Sequence, residues 1–554
     1  MPWSTRGIVL FVPPPDLSRA FRREVAGAFA LLTALTIILT WPQVLHLSSH
    51  TARHDDPLFS IWRLSWVAHA LPNDPAHLFD ANIFHPRRLT LAFSDAMPLE
   101  AAIAAPWLWA GVNPVLVYNV LLLGGIVISG LGMFVLARYL MNDADAALVS
   151  AAIFTLVPYR VEHFMHLELQ WTVWMPLTLW AIHRAYSEAS LRFGALAGVL
   201  LWLQMLSSVY YGAFLGLIGA SFALLLAATG PRRARSVAGP FCLAALVAAI
   251  LTAPYAIPYV LNTRALGPRD PGDVATFSAR FASYVSAPEQ NWIWGWTSID
   301  YPGNELHLFP GLAAIALAVL GYVKGPRIAR VYSALLAIAV VLSLGPSGWV
   351  YGWLYAHVRA LQGFRAPARF AILACCALAI LAGFGFQVLR RFVVQPRAQK
   401  SLLVAVLVVV GLEYGSAPMT LAEVPTAVPD LYKTIKQMEP SPLIEIPMAD
   451  LDLSVDYMYW SIYHWHPLIN GYSGYIPPDY TETRRVMLSF PDARSLQRLR
   501  SLGVRHIVIH GTYYKVSEYQ DMMLSLMRTP GVTKVGRYRD WVGWADIFAL
   551  APAS

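Results

Sequence analysis

The sequence predicts a polytopic α-helical membrane protein carrying a C-terminal soluble α/β domain. Two observations predict it. Only 13% of the 554 residues are charged and 57% are hydrophobic, whereas a soluble globular chain carries roughly 25% charged residues. Apolar runs of near-spanning length recur up to about residue 415, and after that the composition changes.

A membrane-crossing helix needs about 20 mostly apolar residues. Runs of that kind lie near 25–45, 114–137, 144–158, 170–186, 192–209, 211–229, 237–261, 307–323, 328–345, 368–389 and 401–415, which predicts about eleven crossings. The run 96–111 is shorter, holds Pro98, Glu100 and Pro106, and reads as interfacial or re-entrant. Residues 1–24 are basic and Pro-rich and read as a cytoplasmic lead to an uncleaved first helix.

Lys and Arg set the sidedness. With a cytoplasmic N-terminus, the tight basic clusters fall on one side: Arg19, Arg22 and Arg23; Arg232, Arg233 and Arg235; Lys324, Arg327 and Arg330; Arg390, Arg391, Arg397 and Lys400. The formal net charge of +8 is explained by topology, with no nucleic-acid partner. The other side receives a long first loop, 46–112, the loops 262–306 and 346–367, and the tail. The transmembrane domain thus covers 25–415 and the outer domain 416–554. In the tail, 442–447 (PLIEIP) and 504–510 (VRHIVIH) read as short buried strands, with an amphipathic helix over 492–502. Cys242, Cys375 and Cys376 sit inside apolar runs and pack as small apolar groups.

Chemistry is expected in the outer loops. His54-Asp55-Asp56-Pro57 follows the first helix. Two adjacent carboxylates are costly to crowd unless their charge is used. They suit a divalent cation such as Mg²⁺ or Mn²⁺, or a general base with its orienting partner; a solvated turn capping the next helix is the plainer alternative. The stretch 57–71 that follows reads as a helix lying in the interface. Arg160, Glu162, His163 and His166 crowd a short outer junction where they can meet phosphate, metal or sugar hydroxyls. Arg365 and Arg369 open an otherwise apolar helix on the outer side, against the positive-inside trend. That placement suits a phosphate. Trp292, Trp294 and Trp296 alternate ahead of Glu305, as an aromatic belt or a sugar-stacking platform. Glu305, just before an apolar helix, is the better functional acid of that loop.

This arrangement resembles the GT-C superfamily of membrane glycosyltransferases, which includes protein O-mannosyltransferases and aminoarabinose transferases. The segments NIFHP (82–86), NPVLVYN (113–119), PYRVEHFMHLELQW (158–171), LSSVYYG (206–212) and LINGYSGY (468–475) are similar to a bacterial membrane protein group placed near that superfamily. The resemblance implies transfer of a sugar from a polyprenyl-phosphate donor to an envelope glycan, lipid or protein acceptor. Asp55 and Asp56 then fall on the acidic motif, one of them as catalytic base. It also implies a bacterial inner membrane with the tail periplasmic or extracellular. The alternative is a non-enzymatic protein that binds or exports lipid-linked glycans. No phosphate-binding glycine loop and no G-x-S-x-G elbow is present. Few ionisable residues lie within the runs, which disfavours an ion-coupled transporter.

Overall fold

The computed structural model describes residues 19–232, 234–301, 305–448 and 450–552; most of the predicted cytoplasmic lead lies outside them. Each of the eleven apolar runs coincides with a helix. Among the described residues, five helices are by length and composition alone suited to cross a membrane: Pro114–Met141, Ala144–Glu162, Val209–Thr229, Ala234–Leu266 and Pro367–Arg390. Leu191–Ser207, Leu312–Lys324 and Ile328–Ser343 are apolar but shorter.

The chain forms two compact units. The first comprises residues 1–45, 120–257 and 267–420. Its central element is the helix Ala371–Arg390, buried along almost its whole length. The helix Leu312–Lys324 meets it at backbone distance. A side chain on Gly385 would overlap the Leu317 carbonyl, and one on Gly321 the Leu381 carbonyl. Small residues permit this approach where apolar burial alone gives membrane helices little drive to associate. At the end rich in Lys and Arg, Arg390 pairs with Asp143 and Asp145, and Lys400 Nζ lies 2.8 Å from Asp145. Asp143 also caps the helix Ala144–Leu156 from an extended backbone, accepting from the Asp145 and Ala146 amides, as an N-cap residue does.

The second unit comprises 46–119, 258–266 and 421–554. The first outer loop therefore belongs with the tail, not with the membrane helices as composition suggested. Backbone pairing explains this. Strand β1 (His50–Ala52) runs antiparallel to β2 (Leu421–Glu423). The tail forms a sheet of β3 (Leu443–Ile446), β4 (His506–His510), β5 (Val532–Arg539) and β6 (Trp544–Leu550) in the order β3-β4-β6-β5. β3 and β4 are parallel and the other pairs antiparallel, so both predicted strands are found, as is the helix Ala493–Ser501. Two segments quoted above lock together here. The amides of Phe84 and His85 donate to the carbonyls of Asn470 and Leu468, and the Leu468 amide to Asn82. Asn470 exchanges two 2.8 Å hydrogen bonds with the Glu445 backbone, extending β3 sideways.

The helix Asp56–Asn73 departs from expectation. Instead of lying half-exposed in an interface, it is a core helix with Phe59, Ile61, Trp62, Leu64 and Val67 buried. Even Arg63 is buried: its guanidinium donates to the Asp95 carbonyl at 2.7 Å and Ser60 Oγ at 2.8 Å, and lies over the Phe59 ring. A sequence pattern shows that Arg63 interrupts the apolar face, but not that the fold supplies acceptors for it.

Candidate functional site

Asp55 stands at the start of the helix Asp56–Asn73, yet it does not cap it. Its backbone is already helical (φ −77°, ψ −30°), and its side chain makes no capping bond. An N-cap needs an extended backbone to fold its oxygen back onto the first amides. The carboxylate is therefore available for other partners. Asp56 is held more firmly: its Oδ2 lies 3.3 Å from His54 Nδ1, and its Oδ1 accepts from the Tyr472 hydroxyl at 3.3 Å.

The partners of Asp55 come from the tail. The helix Asp452–Ser461 carries Asp452 and Asp456 four residues apart, which sets them on one face. Burial, then the charge of Asp452 and a hydrogen bond to it, then Asp456 and Asp56, raise the Asp55 carboxyl to about 7. Two carboxyls can share a hydrogen bond only through a proton held between them. Asp456 is raised to about 6, chiefly by burial, although His510 works the other way.

His510 explains part of that field. It is fully buried at the end of β4, with Nδ1 2.7 Å from Asp540 and Nε2 2.8 Å from Glu445. Burial alone would lower its basicity, but the two carboxylates outweigh burial and raise it. Tyr457, next to Asp456, stacks on its ring, and Tyr432 donates to Glu445 at 2.7 Å.

The remaining predicted site residues lie in the first unit, where most of them form one cluster. Arg369 grips Glu305 through two bonds of 2.7 and 2.6 Å. Burial opposes ionisation of Glu305, but Arg369 prevails and holds it well below the ordinary carboxylate range. His166 Nε2 lies 4.0 Å from Glu305, and one ligand atom each of His163, His166 and Glu305 lies within 4.8 Å of the others. His163 is fully buried with neither ring nitrogen partnered, and burial pushes it down to about 3. A neutral imidazole with orphaned nitrogens beside an ionised carboxylate fits a divalent cation. That triad is a group of three converging metal-ligand side chains among the described residues.

Glu162 accepts from the Glu305 amide at 3.0 Å and pairs with His307 at 2.8 Å. It thereby steadies the segment that carries Glu305. Arg160 turns inward: its guanidinium reaches the Phe154 carbonyl, Gln170 and Thr172, which accounts for its burial. Arg365 differs. Its amide donates to the Tyr210 hydroxyl and its guanidinium lies over the Phe277 ring, with no ion-pair partner among the described residues. Trp294 donates to Glu413 and Trp292 to the Ala417 carbonyl, so two of the three alternating indoles anchor the loop, while Trp296 is 79% exposed.

Sequence reasoning missed Asp452 and Asp456. Their i, i+4 spacing was visible, but nothing in the sequence tied that helix to an aspartate so far upstream.

No protein-family model and no curated protein matches the sequence. Solved structures do. The cryo-EM structure of the arabinofuranosyltransferase AftD from Mycobacteria superposes with a TM-score of 0.63 at 14% identity, covering 98% of this chain and 40% of that one. A mutant of the same enzyme gives 0.61. The apo oligosaccharyltransferase of Archaeoglobus fulgidus gives 0.50 at 15% identity, covering 96% and 74%. The chain thus shares the fold of these solved structures, and it spans about two fifths of the length of the mycobacterial enzyme.

Proposed function

We propose that the protein is a glycosyltransferase that moves a sugar from a polyprenyl-phosphate donor to an envelope glycan, lipid or protein acceptor at the outer face of a bacterial inner membrane. The observation that carries this reading is the Asp55–Asp452–Asp456 cluster. A carboxylate raised to about 7 is a base matched to neutral pH. Asp55 takes the proton from the acceptor hydroxyl as that oxygen attacks the anomeric carbon, and the lipid phosphate leaves with the bonding electrons. Asp56, tied to His54 and Tyr472, positions the turn. Within the first unit, Arg365 has no ion-pair partner among the described residues and has the chemistry to meet a phosphate group.

His163, His166 and Glu305 are the residues that would hold a divalent cation, and such an ion would supply positive charge to a phosphate-bearing substrate. Two imidazoles with one carboxylate suit Mn²⁺ better than Mg²⁺, which keeps to oxygen ligands. Addition of Mn²⁺ is expected to raise the melting temperature of the purified wild type and to leave His163→Ala unmoved. An equal response from both proteins would remove the triad from metal binding.

The deciding experiment compares cells with wild type and with Asp55→Asn at matched expression, by mass spectrometry of polyprenyl-phosphate sugars and envelope glycans. Loss of a general base lowers the rate by roughly 10²–10⁴, so a lipid-linked sugar should accumulate while one glycan residue disappears. Unchanged profiles would move the protein to the class of non-enzymatic binders or exporters.

A further inference from the structure

In the first unit, the consecutive helices Leu312–Lys324 and Ile328–Ser343 leave a groove of about 690 Å³ between them, floored by the central helix Ala371–Arg390. Its walls include Ala318 and Tyr322 on one side and Ala334 and Val340 on the other, and Cys375 and Leu378 line the floor. The glycine contacts of Gly321 and Gly385 draw the first wall onto the floor. Alanines at the facing positions then leave the space above unfilled.

Charge along this groove is one-sided. Among the described residues, the only charged side chain in the lining is Arg330, at the end where the two helices are joined. Arg330 is exposed and has no ion-pair or hydrogen-bond partner for its guanidinium among the described residues. Lys324 and Arg327, at the same end, are equally exposed and unpartnered. The opposite end is closed by Tyr284, Leu308 and Pro310 and offers no charge. A long apolar slot with three free cations at one mouth is complementary to an amphiphile with a hydrocarbon chain and an anionic head.

We propose that this groove binds an anionic phospholipid, one acyl chain lying along Cys375 and Leu378 and the headgroup phosphate on Arg330, with Lys324 and Arg327 beside it. The basic end is the one that the Lys and Arg bias assigns to the cytoplasm, so the lipid belongs to the cytoplasmic leaflet. A polyprenyl-phosphate donor reacting on the outer face would need its charged head at the other end, where the groove has no cation. The proposal stands whether or not the protein is a transferase.

The test uses the full-length protein, delipidated in mild detergent and titrated with phosphatidylglycerol or with phosphatidylcholine, bound lipid being counted by native mass spectrometry. Phosphatidylglycerol should be retained in preference. Reversing the charge with Arg330→Glu should weaken that binding by about tenfold or more, given the pull of each basic side chain on an anionic headgroup. Its side chain is exposed, and an unchanged melting temperature separates lost binding from misfolding. Ala334→Phe should block binding by filling the groove with the charges intact. Equal retention of the two lipids, or undiminished phosphatidylglycerol binding in Arg330→Glu, would overturn the proposal. So would a polyprenyl phosphate whose retention Ala334→Phe abolishes and Arg330→Glu leaves unchanged, because the groove would then be the seat of the donor's tail.

Discussion

Asp55 shows how one residue acquires a function that its neighbours in sequence do not explain. Adjacent to Asp56 it looks like half of a metal-binding pair or a helix cap. The fold excludes the cap, because its backbone is already helical, and it brings Asp452 and Asp456 close enough to act on its carboxyl. A testable consequence follows for pH. The carboxylate is the active form, so transfer should rise with pH through about 7 in the wild type. In Asp452→Asn the neighbouring negative charge is gone, and an amide N–H can donate to the Asp55 carboxylate. Both changes favour ionisation, so the rising limb should move to lower pH. Rate-against-pH profiles of the two proteins decide the matter; coincident limbs would show that Asp452 does not tune Asp55. Arg365 and Arg369 make the complementary point. Both were visible in sequence as cations on the wrong side for topology, yet they divide the work, since Arg369 is matched to Glu305 while Arg365 keeps its charge free of any carboxylate among the described residues.

At the scale of elements, periodicity read helices and strands well because burial on one face or all faces writes a pattern into the chain. β3, β4 and the helix Ala493–Ser501 fall where that pattern put them. It read the helix Asp56–Asn73 less well, because a helix covered on every side by partners distant in sequence can carry Arg63 and Ser60 in its core. The sheet contains a device of the same kind. Glu445 on β3 and His510 on β4 are bridged across the parallel pair, and Asp540 closes the other ring nitrogen. His510→Gln removes the cation and leaves two buried carboxylates facing each other. Breaking a buried ion pair by deleting one partner costs about 3–5 kcal/mol. The variant should therefore melt well below wild type in the same detergent, with the tail lost first in limited proteolysis. Its melting temperature staying at the wild-type value would mean that the imidazole is not charged there.

For the molecule as a whole, the boundary near residue 416 was legible as a change of composition, but composition cannot say what completes the second unit. Much of what closes it comes from residues 46–119. β1 pairs with β2, and the Asn82 side chain donates to Ser461 and the His466 carbonyl while accepting from Trp62. Arg87 holds Asp479 through two nitrogens, and the Phe84 ring lies so near Gly471 that a Cβ there would come within 2.7 Å of it. These contacts cover Leu468, Ile469 and Tyr480, each no more than 4% exposed. A fragment of residues 416–554 would expose that surface and leave Asn470 and the end of β3 without the loop that braces them. The fragment has the length of an ordinary small domain, so length gives no warning. The expectation from the packing is that it fails to fold alone: broad, poorly dispersed amide resonances, dye binding to exposed apolar surface, and no cooperative melt. Joining residues 46–119 to it through a flexible linker should restore a cooperative transition. A sharp melt and dispersed spectrum from 416–554 by itself would show that the tail is an autonomous domain and that the first loop merely docks on it.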